Sequence, residues 1–166
     1  MPPRAISSKE LGPTLGMYSH GMVAPPGAIV VVAGQVGMDA AGRLVGPGDV
    51  VAQTKQAYAN IEKVLRAAGS SMREVVRFQT FLTHATDIDG FMRARREVFP
   101  RHYPDGAYPP NTILVVSRLV QPELLVEIEA MAVRPAQGTS RPRAATAKAG
   151  SQLQSSGRRQ QSKKRR

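Results

Sequence analysis

Apolar residues follow two different spacings along the first 135 positions, one typical of helices and one typical of strands. Tyr58, Ile61 and Leu65 recur at intervals of three and four within residues 49–69, a segment that opens on an aspartate and closes on a glycine. A second segment with this spacing begins at about residue 89 and ends at residue 99 or 103. The sequence therefore predicts two amphipathic helices, each with one apolar side.

Short runs rich in β-branched residues, most of them beside glycine, proline or asparagine, predict strands around these helices. In one run, Val76, Phe78, Thr80 and Leu82 occupy alternate positions and are predicted to share one face of a sheet. The runs are MYSHGMVAPPG, GAIVVVAGQVGMD, DAAGRLV, VVRFQTFLT, TILVVS and LLVEIEAMAV.

The order of these elements is β-β-(β)-α-β-α-β-β, in which the third strand is a short return after the turn at DAAG. Two helices must bury their apolar sides against something, and one mixed sheet is the available surface. We therefore predict an α+β fold, a two-layer sandwich in which a six-stranded mixed sheet carries both helices on one face.

The net charge of +11 is distributed very unevenly along the chain. Residues 1–135 contain 14 Lys and Arg against 12 Asp and Glu, whereas residues 136–166 contain 9 Lys and Arg and no acid. The second segment has almost no apolar residues to bury, which predicts a disordered basic tail after a domain at 1–135. Such a tail could contact nucleic acid through charge alone, or serve only to keep the protein soluble.

Several classes of site and location find no support in the sequence. There is no cysteine, which excludes disulfides and thiolate sites, and no glycine-rich phosphate loop. His20, His84 and His102 are too scattered to predict a metal site. The N-terminus lacks an apolar signal segment and no run is long enough to cross a membrane, so we expect a cytoplasmic protein without membrane contacts.

The last predicted strand carries two acids in an otherwise apolar run. In LLVEIEAMAV, alternation places Val126, Ile128, Ala130 and Ala132 on one face. Both Glu127 and Glu129 fall on the other face. From the residues alone, that second face is either exposed to solvent or carries an acid with a chemical role.

Taken in order, several segments resemble the RidA (YjgF-like) family of reactive-intermediate deaminases. They are GMYSHGM, VVVAGQVGMDAAGRLV, AQTKQAYANIEKVLRAAGSSMREVVRFQTFLT, PPNTILVVSRLV and LLVEIEAMA, and together they span roughly residues 13–134. The resemblance implies a chorismate-mutase-like fold and a homotrimer with a central barrel and ligand clefts between subunits. It also implies hydrolysis of an enamine or imine to a keto acid and ammonia, without a cofactor.

The resemblance also implies roles for particular residues. Tyr18 matches the tyrosine of the family's PYS motif and would flank the cleft, and the backbone N–H of Gly34, in AGQ, would bind a ligand oxygen. Glu127 matches the glutamate that positions or activates water. These three positions are the ones at which the catalytic and binding groups of the family would fall.

One position departs from the family pattern in a way that concerns substrate binding. The carboxylate-binding arginine of the family's PAR motif is replaced by Asn111 in PPN, and an amide cannot reproduce a bidentate, charge-assisted contact. Arg95 and Arg96 lie near a position where the family often has asparagine, and one of them could supply the missing charge.

Three functions follow as hypotheses. The first is hydrolysis of an imine, an enamine or a related small C–N compound. The second is a non-catalytic trimer that binds small molecules in the same clefts. The third is a nucleic-acid or ribonuclease-type role aided by the basic tail, although the sequence shows no pair of nuclease histidines and no metal-binding carboxylates.

Overall fold

The computed structural model describes residues 1–136 of the 166-residue chain. All of the predicted basic tail at 136–166 except its first residue therefore lies outside the described residues. The strands are β1 (Arg4–Ile6), β2 (Gly21–Val23), β3 (Gly27–Val36), β4 (Val75–Leu82), β5 (Asn111–Val115) and β6 (Val126–Pro135). The helices are α1 (Val50–Ala67) and α2 (Ile88–His102), and single 3-10 turns precede β4 and α2.

Within residues 1–136, six strands form two separate sheets. The prediction of a single six-stranded sheet is therefore wrong. The main sheet has the order β3-β6-β4-β5, in which only β4 and β5 are parallel, while β1 and β2 form a separate antiparallel pair. The predicted return strand after Asp39 shrinks to a single bridge between Met38 and Leu44. The reason is local, because the Asp39 carboxylate accepts the backbone N–H groups of Ala41 and Arg43 and closes a tight turn.

Both helices form as the sequence predicts and pack on the same face of the main sheet. Asp49 caps α1 by accepting the N–H groups of Val51 and Ala52, and Gly69 follows the helix at φ +70°, a conformation that suits glycine. Between helices and sheet lies an aromatic core in which Tyr58 meets Phe78 edge to face at 5.5 Å.

The alternation of β6 is confirmed, because Val126, Ile128, Ala130 and Ala132 are all buried against the helices. The prediction for β4 is wrong at its start. Val75 is buried in place of Val76, since a register shift lies between Val75 and Arg77 where β4 pairs with β6. From Phe78 onward the predicted face is the observed one.

The other side of the main sheet, called the open face below, is not covered by either helix. It carries Arg77 and Gln79 from β4, Glu127 and Glu129 from β6, and the apolar side chains of Ile29 and Val31, which are 69% and 70% exposed. Two large apolar residues exposed side by side are unusual for a monomer surface. Within residues 1–136, neither helix combines the length and the apolar character needed to cross a bilayer.

Candidate functional site

Four of the six residues predicted for the site line one groove. The groove lies between the segment before β2, the helix α2 and the edge strand β5, and it has a volume of about 530 Å³. Its lining residues are Leu15, Tyr18, Ile88, Asp89, Met92, Arg95, Arg96, Asn111 and Ile113. The structure brings Tyr18, Arg95, Arg96 and Asn111 together in this groove, although they are far apart along the chain.

Arg95 is the least expected member of this groove, because its side chain is only 1% exposed. Its guanidinium lies over the rings of Phe99 at 4.4 Å and Phe91 at 5.6 Å, and one terminal nitrogen donates to the carbonyl of Met17. Burial lowers the pKa of Arg95, but an arginine remains charged at neutral pH. Among residues 1–136, no carboxylate forms an ion pair with it.

Arg96, the next residue on α2, is exposed at the rim of the same groove. Consecutive helix positions point about 100° apart, so only one of the two arginines can be turned inward. The two candidates are therefore not equivalent, and Arg95 is the buried one.

Asn111 opens β5 with its side chain on the helix side of the sheet. The hydroxyl of the fully buried Thr80 donates to its Oδ1 at 3.1 Å, which fixes the orientation of the amide. The Nδ2 group is buried and has no acceptor among the described residues. Asn111 therefore presents a donor that lacks a partner within its own chain.

Tyr18 reaches the groove from the segment before β2, which is fastened to the rest of the domain. Its hydroxyl oxygen accepts the N–H of Leu15 at 3.2 Å, which leaves the hydroxyl hydrogen free to donate. The neighbouring Ser19 donates from Oγ to the carbonyl of Tyr108 at 2.8 Å. Together with the Arg95 contact to Met17, these bonds hold Tyr18 over α2.

The remaining two predicted residues, Gly34 and Glu127, meet each other away from the groove. A bulge between Val32 and Gln35 brings the backbone of β3 against the Glu127 carboxylate. A Cβ atom on Gly34 would lie only 1.7 Å from Oε1 of Glu127. Glycine is thus required at position 34 for the acid to keep its place.

Glu127 is in an environment that favours its protonated form. Partial burial raises the pKa of its carboxyl, and the negative charge of Glu129 raises it further. Glu129 is two residues along on the same face and is exposed beside Gln79. A carboxylate with a raised pKa is a better proton acceptor at neutral pH than an ordinary glutamate.

Groove and acid lie on opposite sides of the sheet in a single chain. Asn111 is paired in register with Phe78, whose side chain is in the helix-side core, whereas Glu127 is paired with Phe81, which faces the other way. Since β4 stands between β5 and β6, one chain cannot bring Asn111 and Glu127 onto a common ligand of small size.

Gln53 supports the approach to β6 and was not singled out from the sequence. It is fully buried on α1, accepts the N–H of Leu125 at 2.8 Å, and donates to the carbonyl of Glu123 at 3.0 Å. The segment that leads to Glu127 is thereby tied to the helix layer. Nothing local marks Gln53, because its partners are about 70 residues away in sequence.

Histidines and acids do not gather into a metal site within residues 1–136. His20 is used locally, since its ring contacts the N–H of Ser8 at 3.1 Å and the carbonyl of Gly12 at 3.0 Å. The described residues thus offer the acids Glu127 and Glu129 on the open face and hydrogen-bond donors in the groove.

Comparison with known sequences finds relatives over almost the whole described chain. Residues 9–134 match the family model described as Endoribonuclease L-PSP. The chain is 35% identical over 130 residues to the protein DfrA of Myxococcus xanthus, covering 78% of this chain and 95% of that protein. It is also 35% identical over 132 residues to the 2-iminobutanoate/2-iminopropanoate deaminase of Capra hircus, covering 79% and 90%.

Solved structures give the same picture for the fold. The chain resembles the Rid-family protein YyfB of Yersinia pestis, with a TM-score of 0.71, 33% identity, and coverage of 80% of this chain and 99% of that one. It also resembles E. coli TdcF with bound serine, with a TM-score of 0.59, 28% identity, and coverage of 80% and 94%. Two helices on a mixed sheet are therefore shared with known proteins.

Proposed function

Because this chain belongs to the RidA (YjgF-like) family, as its family match and its deaminase relatives establish, we propose that it hydrolyses small reactive imines or enamines and releases ammonia. The observation that carries the proposal is the fit of the Glu127 carboxylate against Gly34, with a raised pKa and no basic partner within the described residues. These are the properties of a general base for water.

In the proposed reaction, Glu127 takes a proton from water as the water oxygen bonds to the imine carbon. The nitrogen receives that proton, which gives a carbinolamine. Loss of ammonia then breaks the C–N bond, while the hydroxyl proton moves to the departing nitrogen and leaves a carbonyl. Water and imine are consumed in equal amounts, and neither a redox step nor a cofactor is involved.

The N–H of Gly34 and the hydroxyl of Tyr18 are the proposed groups for holding the substrate in place. Gly34 lies against the acid, and Tyr18 has a free hydroxyl hydrogen in the groove. E. coli TdcF, 28% identical to this chain, has a structure with bound serine, which supports a small amino-acid-like ligand for the family site.

The proposal includes a homotrimer whose sites lie between subunits. Its support is the division of the predicted site, with Asn111 and Tyr18 on the helix side of the sheet and Glu127 on the open face. Exposed Ile29 and Val31 give the open face an apolar surface that a second chain could cover. In such an assembly the groove of one chain would face the acid of the next.

An assay with freshly generated imines tests the activity directly. An amino-acid oxidase produces 2-iminobutanoate in place, and the release of 2-oxobutanoate is followed with and without the full-length protein. We expect release above the buffer rate, and a loss of about a hundredfold or more in Glu127→Gln because a general base typically contributes that much. Glu129→Gln, on the same strand and face, is the matched control and should keep most activity.

Two results would contradict the proposal. Release at the buffer rate across a panel of imines with and without a carboxylate would favour the non-catalytic binding protein. Full activity in Glu127→Gln would remove the acid from the reaction.

A mixing experiment tests the placement of the site between chains. Glu127→Gln and the groove variant Arg95→Met are first assayed separately, and are then unfolded together and refolded at equal amounts. If each site takes its acid and its groove from different chains, about a quarter of the sites in random trimers are intact, and activity returns to about that level. No recovery despite mixed trimers in native mass spectrometry would contradict a site shared between chains, and would remove the groove from the reaction.

The basic segment after the domain adds one further proposed contact. Its 9 Lys and Arg without any acid would attract nucleic acid in a salt-dependent and sequence-independent way. Retention on heparin by the full chain, but not by a chain ending at Pro135, would locate that contact in the tail. A cytoplasmic location would suit both this contact and small metabolite substrates.

A further inference from the structure

The groove contains buried donors that have no acceptor. Nε of Arg95 and Nδ2 of Asn111 are both shielded from solvent without a hydrogen-bond partner among the described residues. Both residues line the same groove of about 530 Å³. A buried donor left unpaired destabilises the fold, and such groups are rare in native proteins.

The positive charge of Arg95 makes its lack of hydrogen-bond acceptors more costly than that of a neutral group. Among residues 1–136, its five N–H groups find only the Met17 carbonyl and, at 4.0 Å, the sulfur of Met92. Phe91 and Phe99 cover the face of the guanidinium and leave its edge for other groups. A buried cation without a carboxylate normally requires an anion nearby, because removing a charge from water is costly.

We propose that Arg95 and Asn111 form a binding site for a small carboxylate at the floor of this groove. A carboxylate is planar and only accepts hydrogen bonds, which matches the edge of one guanidinium together with one amide N–H. Thr80 holds the Asn111 amide so that its nitrogen side remains free, and Tyr18 adds a hydroxyl donor at the same groove.

Together, the two residues would supply the charge-assisted contact to a carboxylate that Asn111 cannot make alone. The charge is delivered from α2 by Arg95, while Asn111 on β5 becomes the neutral partner. The inference rests on the proposed function only for the identity of the natural ligand, which would be an amino-acid-derived imine that carries a carboxylate. Binding itself requires no turnover and can be tested separately.

The test uses propanoate and its neutral isostere propanamide, added to the full-length protein labelled with ¹⁵N. We expect propanoate to shift the side-chain amide signals of Asn111 and the Nε–H signal of Arg95 in a saturable way, and propanamide to leave them nearly unchanged. Arg95→Met should weaken propanoate binding by about tenfold or more, the loss typical of a hydrogen bond to a charged group.

Arg93→Met is the matched control, because Arg93 is exposed on α2, does not line the groove, and carries the same charge. It should change propanoate affinity by less than about twofold through screened charge alone. If Arg95→Met fails to fold, Asn111→Leu removes the other donor and should likewise weaken binding by severalfold.

Equal binding of propanoate and propanamide would overturn the proposal, as would unchanged binding in folded Arg95→Met and Asn111→Leu. Displacement of propanoate by much lower concentrations of inorganic phosphate would assign the site to a phosphoryl group and overturn it too. Propanoate binding without imine hydrolysis would leave this site standing and remove only the enzymatic function. Imine hydrolysis without propanoate binding would overturn this carboxylate site and leave the proposed enzymatic function standing.

Discussion

The groove beside α2 and the open face of the sheet differ in how many candidate site groups a single chain contributes to each. In the groove, one chain brings together a buried cation, an oriented amide and a tyrosine hydroxyl, from three separate elements. On the open face, the same chain provides one acid against one glycine, with solvent on the other side. The groove supplies several donors, whereas within residues 1–136 the acid has a raised pKa and no ion-pair partner.

This difference corresponds to two tasks in the proposed hydrolysis, which are binding the substrate and acting on water. The buried donors of Arg95 and Asn111 suit recognition of an anionic group, because a buried donor without an acceptor is unfavourable. An acid on an exposed face can meet water, because solvent reaches it. The comparison can be tested by changing one region and measuring the property assigned to the other.

The largest effect is expected from Gly34→Ala. The new methyl group would overlap the Glu127 carboxylate and displace it, so we expect imine hydrolysis to fall by about a hundredfold, the usual contribution of a general base. Propanoate binding should fall much less than hydrolysis, because the proposed contacts to its carboxylate come from Arg95 and Asn111 and not from Glu127.

Gly12→Ala is the matched control for this change, because a Cβ at position 12 would meet no atom within 4 Å. It should leave both hydrolysis and binding close to those of the unchanged protein. A Gly34→Ala protein that hydrolyses imines normally would show that the acid does not need this fit. One that loses propanoate binding as well would show that the two regions are not separable.

A smaller effect is expected from Thr80→Val, which alters the groove alone. The substitution keeps the shape but removes the donor that orients Asn111, so the amide can turn its oxygen inward. We expect propanoate to bind severalfold more weakly and the free energy of unfolding to drop by about 1 kcal/mol. Isothermal titration and urea unfolding measure the two quantities. Unchanged propanoate affinity would contradict the orienting role.

The smallest effect concerns pH and the open face. Because the pKa of Glu127 is raised in the folded chain, the folded state holds its proton more tightly than the unfolded state. Stability from this group is therefore present below the ordinary glutamate pKa of about 4.3 and is lost as pH rises to the folded value.

Comparing urea unfolding of the unchanged protein and Glu127→Gln isolates this contribution. The variant should gain stability relative to the unchanged protein over that pH interval, with a constant difference above it. The effect should be modest, since the Glu127 side chain is only partly buried. A difference that stays flat from about pH 4 to about pH 7 would contradict the raised pKa.

The sequence predicted the elements whose signals are local. Asp49 and Gly69 mark the ends of α1, and the alternation in β6 separates Ile128 from Glu127 as observed. The strand β1 was missed, because three residues paired only with β2 produce no periodic pattern. The bulge that buries Val75 was also missed, since a register shift depends on the partner strand.

For the candidate site, the sequence suggested residues but not their arrangement in the fold. The resemblance brought Tyr18, Gly34, Asn111 and Glu127 forward, yet the sheet places them on two sides. An arginine in an exposed-looking helix is expected in solvent, and nothing in the helix pattern shows that Arg95 stacks on Phe99. That burial depends on the segment around Met17, which is 78 positions earlier in the chain.

The fit of Gly34 against Glu127 also affects how this protein could change over many generations. Any side chain at position 34 would displace the acid, so that position allows little variation while the acid is in use. The groove imposes a weaker condition, because its requirement is a cation and an amide, supplied here from α2 and β5. The ligand preferred by such a protein could thus change through exchanges in the groove while the proposed catalytic acid, Glu127, is retained.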